Sequence, residues 1–141
     1  MKAKQYLRQI QILDMKIDEK TKERNELYEI AINDRGIGDM NPDKVRSSIS
    51  LHQTEELIVK YADLEREIST MINQFVNLKH KIIDEIHLLD DAAQIDCLYQ
   101  RYVQYHTFEQ IAVNTGYSIR RVYQIHGDAL EAFRKKVKDC I

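Results

Sequence analysis

TFEQIAVNTGYSIRRVYQIHGDALEAFR, Thr107 to Arg134, carries the punctuation of two short helices joined by a tight turn. Thr107 followed three residues later by Gln110 is a capping-box pattern, in which a hydroxyl and an amide satisfy the free N–H groups of a helix start. A helix therefore begins at Phe108, with Ile111 and Ala112 on the same side. Gly116 can take the left-handed conformation that ends it. Ser118 then offers the cap of a second helix whose apolar residues Val122, Ile125, Ala129, Leu130 and Phe133 recur at helical spacing. Its opposite side holds Arg120, Arg121, Tyr123 and Gln124. An αα-hairpin that merely packs could carry the same polar face. Cap, glycine turn and second cap together favour a helix-turn-helix whose second helix enters the major groove of DNA. There Arg reads guanine, Gln reads adenine and the amides of the helix start meet phosphate.

Outward from this stretch, 141 residues suffice for one globular domain, or a small one with a long helical extension. A single proline, Pro42, and four glycines leave few breakers, so the fold is expected to be all-α. The net charge of −2 argues against indiscriminate polyanion binding by the whole surface. Locally the balance differs. Between Ser118 and Lys138, six cations (Arg120, Arg121, Arg134, Lys135, Lys136, Lys138) face two acids, Asp128 and Glu131, an excess of four positive charges. Cys97 and Cys140 are far apart and lack metal-ligand spacing, so reduced thiols are expected. The opening MKAKQYLRQI has no apolar run of signal-peptide length, and no later run would span a bilayer; a cytoplasmic protein with no membrane partner is expected.

Two long helices precede the C-terminal region. From Lys2 to Asp34 the residues Tyr6, Ile10, Leu13, Ile17, Leu27 and Ala31 alternate at spacings of four and three, interrupted by Lys20 and Arg24 in the seam. From Thr54 to Leu89 the stripe is stricter: Leu57, Tyr61, Leu64, Ile68, Met71, Phe75, Leu78, Ile82, Ile86, Leu89. Each helix is roughly 50 Å long, and one loop joins them, so the stripes face each other in an antiparallel coiled-coil hairpin. Residues 35–53, with two glycines and the proline, form that loop. Ile12, Ile30, Ile32, Ile58, Ile72 and Ile83 lie off the stripe and require a cover: either a second copy, giving a homodimer through the coiled coil, or the C-terminal helices docked upon it. The dimer is the expected solution. Asp90 is the expected cap of a third helix running to Tyr105, whose Ile95, Leu98, Tyr99 and Tyr102 should support the helix-turn-helix. Tyr99, Tyr102 and Tyr105 could alternatively offer phenol groups to phosphate.

The run of EQIA, a turn ending in Ser, VYQI and a downstream AL resembles region 4 of sigma-70-type factors and the regulators built on it. The resemblance implies a three-helix DNA-binding domain over residues 90–141, after an oligomerising hairpin over 1–89. It implies that Arg120 and Gln124 read bases, while Ser118, Arg121 and Tyr123 touch phosphates or base edges, with His126 extending the surface. The chain departs from the region 4 pattern at Ile119, where the family commonly has a charged residue, and at Gly127 inside the helix. The first removes an expected contact, and the second should weaken or bend the helix. Asp43, Lys44, Val45, Ser47 and Ser48 resemble a loop in small phage and prophage proteins that pair a helical hairpin with a region 4-like end. The absence of Trp and of a compact promoter-melting bundle argues against a complete sigma factor.

No catalytic residues are expected. His80, Asp84 and His87 share one helical face at a spacing a metal could use, but they sit opposite the stripe with no fourth ligand. Neither a phosphate-cradling glycine loop nor a nucleophile motif is present, so neither enzyme activity, metal nor cofactor is expected. The expected function is sequence-specific binding of double-stranded DNA by a phage or prophage transcription regulator. Two alternatives remain open: a terminase small subunit-like packaging protein that recognises phage DNA, and a module that binds RNA polymerase and other proteins without reading DNA.

Overall fold

The computed structural model describes residues 1–34 and 51–137. It is all-helical, with no strand among the described residues. Helix α1 spans Ala3–Asp34 and α2 spans Leu51–Ile86. Helix α3, Ala92–Leu98, runs directly into a π-helical turn, Tyr99–Val103. Helix α4 is Phe108–Thr115 and α5 is Ile119–Lys136. The start of α2 takes in residues 51–53, the end of the expected loop. The rest of that loop, with the phage-like motif at Asp43 to Ser48, and Lys138 and Cys140 lie outside the described residues. No helix among those described is long and apolar enough to cross a membrane.

The chain forms two compact units, each of which takes a part of both long helices. One unit is Met15–Asn73. Within it, Arg24 reaches Glu65 at 2.7 Å, Lys20 lies 3.5 Å from Glu67, and the rings of Tyr28 and Tyr61 are 6.1 Å apart. As the numbering rises on one helix it falls on the other, so the pair is antiparallel, as the stripes require. Leu64 and Ile68 are buried in this unit. The two cations in the seam thus reach across to acids of α2, which supply partners for charge at positions where the stripe would otherwise be apolar. Beyond Tyr28 and Tyr61, residues Leu27, Ala31, Ile32, Leu57 and Ile58 line an open apolar groove.

The other unit is Met1–Asp14 with Gln74–Ile141. Its core draws Tyr6, Leu7 and Ile10 from α1, Ile82 and Ile86 from α2, Leu98, Tyr102 and Val103 from α3 and the π turn, and Ala129 and Phe133 from α5. Burial of these side chains, each worth about 1.5 to 3 kcal/mol, makes the cluster the dominant stabilising element. Of the six off-stripe isoleucines, Ile83 packs on this core, whereas Ile12, Ile30, Ile58 and Ile72 remain exposed. Docking of the C-terminal helices thus supplies part of the cover that the sequence demands, at one end of the hairpin helices.

The third helix departs from its expected course twice. Its cap is Asp91, whose carboxylate accepts from the amides of Ala93 at 2.8 Å and Gln94 at 3.3 Å, while Asp90 pairs with Lys136 at 3.2 Å. Two adjacent acids offer the same cap chemistry, and the tertiary contact to Lys136 engages the first. The helix also does not run regularly to Tyr105. The Gln104 amide donates to the Tyr99 carbonyl five residues back, and this widened turn turns Gln100, Tyr102 and Val103 inward. Tyr105 follows with φ 62°, a left-handed conformation that redirects the chain towards α4. Its hydroxyl donates to Asp14 at 2.8 Å. Burial and the adjacent carboxylate push its pKa well above the usual phenol value. Tyr99 is also partly buried against the core, so the tyrosine run serves as support.

Candidate nucleic-acid interface

The helix-turn-helix is assembled by the local chemistry that its sequence announces. The Thr107 hydroxyl accepts from the Gln110 amide at 3.2 Å, and the Gln110 side chain accepts from the Thr107 amide at 2.8 Å, which completes a capping box. Gly116 ends α4 at φ 78°, with its amide donating to the Ala112 carbonyl. That conformation strains a residue bearing a Cβ. Ser118 starts α5 by accepting from the Arg121 amide at 3.1 Å. A second small core of Cys97, Ile111, Val122 and Ile125, flanked by Ala93, Phe108 and Ala112, holds α4 and α5 against α3. Burial raises the Cys97 thiol to about 11, with Asp96 adding to the effect, so it stays protonated at neutral pH.

A polar clamp behind this core fixes the spacing of α3 and α4. The buried Gln100 donates to Asp96 at 2.7 Å and accepts from Asn114 at 3.0 Å. With α3 and α4 locked, α5 lies with Val122, Ile125, His126, Ala129 and Phe133 inward. Ser118, Arg120, Arg121, Tyr123 and Gln124 are all exposed. Arg120 and Gln124, four residues apart, lie one above the other on the same side of the helix. Each is long enough to reach a base edge: Arg120 carries two parallel donors that suit guanine, and Gln124 a donor beside an acceptor that suits adenine. The Ser118 oxygen is engaged in capping, which leaves its O–H to donate to a phosphate. Ahead of the capped amide stand those of Ile119 and Arg120, at the positive end of the helix dipole.

Tyr123 is half exposed and seated. Its ring centroid lies 4.8 Å from that of Phe108, and the Arg101 guanidinium covers Phe108 at 4.3 Å. Arg101 is tied in turn to the His106 carbonyl at 3.0 Å. The column Arg101, Phe108, Tyr123 restricts the tyrosine ring while half of the residue stays exposed, which reduces the ordering cost of a contact.

His126 does not extend the surface. It is 8 % exposed, its Nε2 lies 2.7 Å from the Tyr102 hydroxyl, and its ring meets Phe108 edge-on at 4.9 Å. Burial, together with the positive charges of Lys4, Arg101 and Arg8, lowers its pKa to about 4. The ring is therefore neutral at pH 7 and adds no charge to the basic face. Burial likewise raises Tyr102 to about 12, so its phenol keeps the proton that binds the imidazole. Gly127 interrupts nothing: α5 passes through it unbroken to Lys136. The His80 ring lies 3.4 Å from the Asp84 carboxylate, while His87 Nδ1 lies 2.7 Å from the Ile83 carbonyl. No group of three or more His, Cys, Asp or Glu among the described residues is arranged to hold a metal.

Residues 91–135 match the family model of sigma-70, region 4, from the cap of α3 to the last turn of α5. No curated protein and no solved structure matches the chain. The last three helices are thus a sigma region 4-like helix-turn-helix, the type found in DNA-binding regulatory proteins.

Proposed function

We propose that this sigma region 4-like end binds double-stranded DNA sequence-specifically and that the protein acts as a transcription regulator of the phage or prophage kind. The observation that carries the reading is the exposure of Arg120, Arg121, Tyr123 and Gln124 on one helix whose underside is buried in the small core, inside the stretch that matches region 4. The protein works by binding, without catalysis or cofactor, in the cytoplasm. The hairpin makes it a homodimer: Tyr28, Ile30, Ile58 and Val59 are exposed in the Met15–Asn73 unit, and a second copy would cover them. Two recognition helices on paired half-sites then gain specificity through effective concentration.

Duplexes recovered from a randomised pool by the purified protein supply the test, with affinity measured by anisotropy over a range of salt. Arg120→Ala and Gln124→Ala should each cost roughly 1 to 3 kcal/mol on the preferred duplex and relax the preference at one position. Arg121→Ala should weaken all duplexes alike and reduce the salt slope by about one. A doubly substituted Arg120→Ala, Gln124→Ala protein that binds the same duplex unchanged would exclude this register. Retention on RNA polymerase with no DNA shifted at low salt would move the function to protein interaction, and a closed ring of many subunits would move it to DNA packaging.

A further inference from the structure

Ile119 occupies the first helical position of α5, directly between the Ser118 cap and Arg120, and is 39 % exposed. Two residues earlier Tyr117 is 43 % exposed, and it also lines a small space with Thr115, Val122 and Ile125. Tyr117 thus borders the small core while part of it is open to solvent. The two side chains put apolar surface where the recognition helix would enter the groove, beside the open guanidinium groups of Arg120 and Arg121. Neither exposed surface contributes to the core, and Ile119 gives up the charge-assisted contact that a polar residue at this position would make.

The floor of the major groove offers one apolar group of matching size, the C5 methyl of thymine. We infer that Ile119, with the exposed Tyr117 two residues before it, recognises a thymine methyl and makes this protein discriminate thymine from the other bases at one position of its site. The inference rests on the DNA-binding reading above and sharpens it. The adjacent Arg120 and Gln124 read hydrogen-bonding groups, whereas Ile119 reads a group with none. Loss of one methyl contact corresponds to about a four-fold change in affinity.

The test removes the methyl without touching the protein. In the duplex selected from the randomised pool, each thymine is replaced singly by deoxyuridine, which keeps every hydrogen-bonding group of the base pair. The wild-type protein should lose about four-fold in affinity at one position and little elsewhere. Ile119→Ala should bind the thymine and uracil duplexes equally at that position. Its cap at Ser118 is untouched and its own side chain is partly exposed, and α-helical circular dichroism verifies its fold. Equal binding of all the uracil duplexes by the wild type would overturn the inference while leaving DNA reading intact. A uracil penalty that persists undiminished in Ile119→Ala would overturn it as well. Failure to bind any duplex at low salt would overturn the underlying DNA-binding reading.

Discussion

His126 shows how one residue type can conceal its position. With Val122, Ala129 and Phe133 it falls at spacings of four, three and four, so its place on the inner side of α5 was legible in the sequence. Its polarity pointed outward. What the sequence could not disclose is the partner that makes burial tolerable, the Tyr102 hydroxyl from an element 24 residues earlier. The arrangement has a pH signature. The folded pKa, about 4, lies below the unfolded value near 6.5, so between these values the unfolded chain binds more protons and stability rises with pH. The stabilisation is complete above pH 6.5 and is lost as pH falls towards 4, by an amount on the order of 3 kcal/mol. Urea unfolding at pH 7.5, 6 and 5 should show the decline, and His126→Gln should flatten it. Equal pH slopes for the two proteins would rule out His126 as its source.

At the scale of elements, the features resolved by local chemistry were the legible ones. Thr107, Gly116 and Ser118 act within a few residues of themselves, and all three take their expected places. The π turn at Tyr99–Val103 was not legible, because it exists to satisfy Gln100 and Tyr102 against α4 and α5, and no local pattern records that demand. The choice between Asp90 and Asp91 was hidden for the same reason. Gly127 gives the opposite lesson. It reads as a defect in α5, yet the helix is continuous and a Cβ placed there meets nothing within 4 Å. Gly127→Ala should therefore stabilise the protein by about 1 kcal/mol, through a less disordered unfolded chain and no new clash. Thermal and urea unfolding would measure it. A destabilised variant would mean that the position requires glycine for a reason outside packing.

The whole molecule combines a hairpin whose helices were legible from their stripes with a core whose membership was not. Periodicity told which residues of α1 and α2 face inward but not that the ends of both helices would be absorbed beneath the helix-turn-helix. The aliphatic residues left outside give the proposed dimer its measurable consequence. Replacing Ile58 and Val59 together with Asp should yield a monomer by sedimentation equilibrium and lower affinity for paired half-sites by about two orders of magnitude, while binding to a single half-site stays unchanged. A wild type that sediments as a monomer at micromolar concentration would remove the dimer. The packing of Tyr6 against Phe133, with ring centroids 5.9 Å apart, has a further consequence. Every residue between Tyr6 and Phe133 must be synthesised before the first turns of α1 can meet the helix that encloses them. Until then Tyr6, Leu7 and Ile10 wait as a sticky segment, and the core beneath the helix-turn-helix should condense only once α5 has emerged.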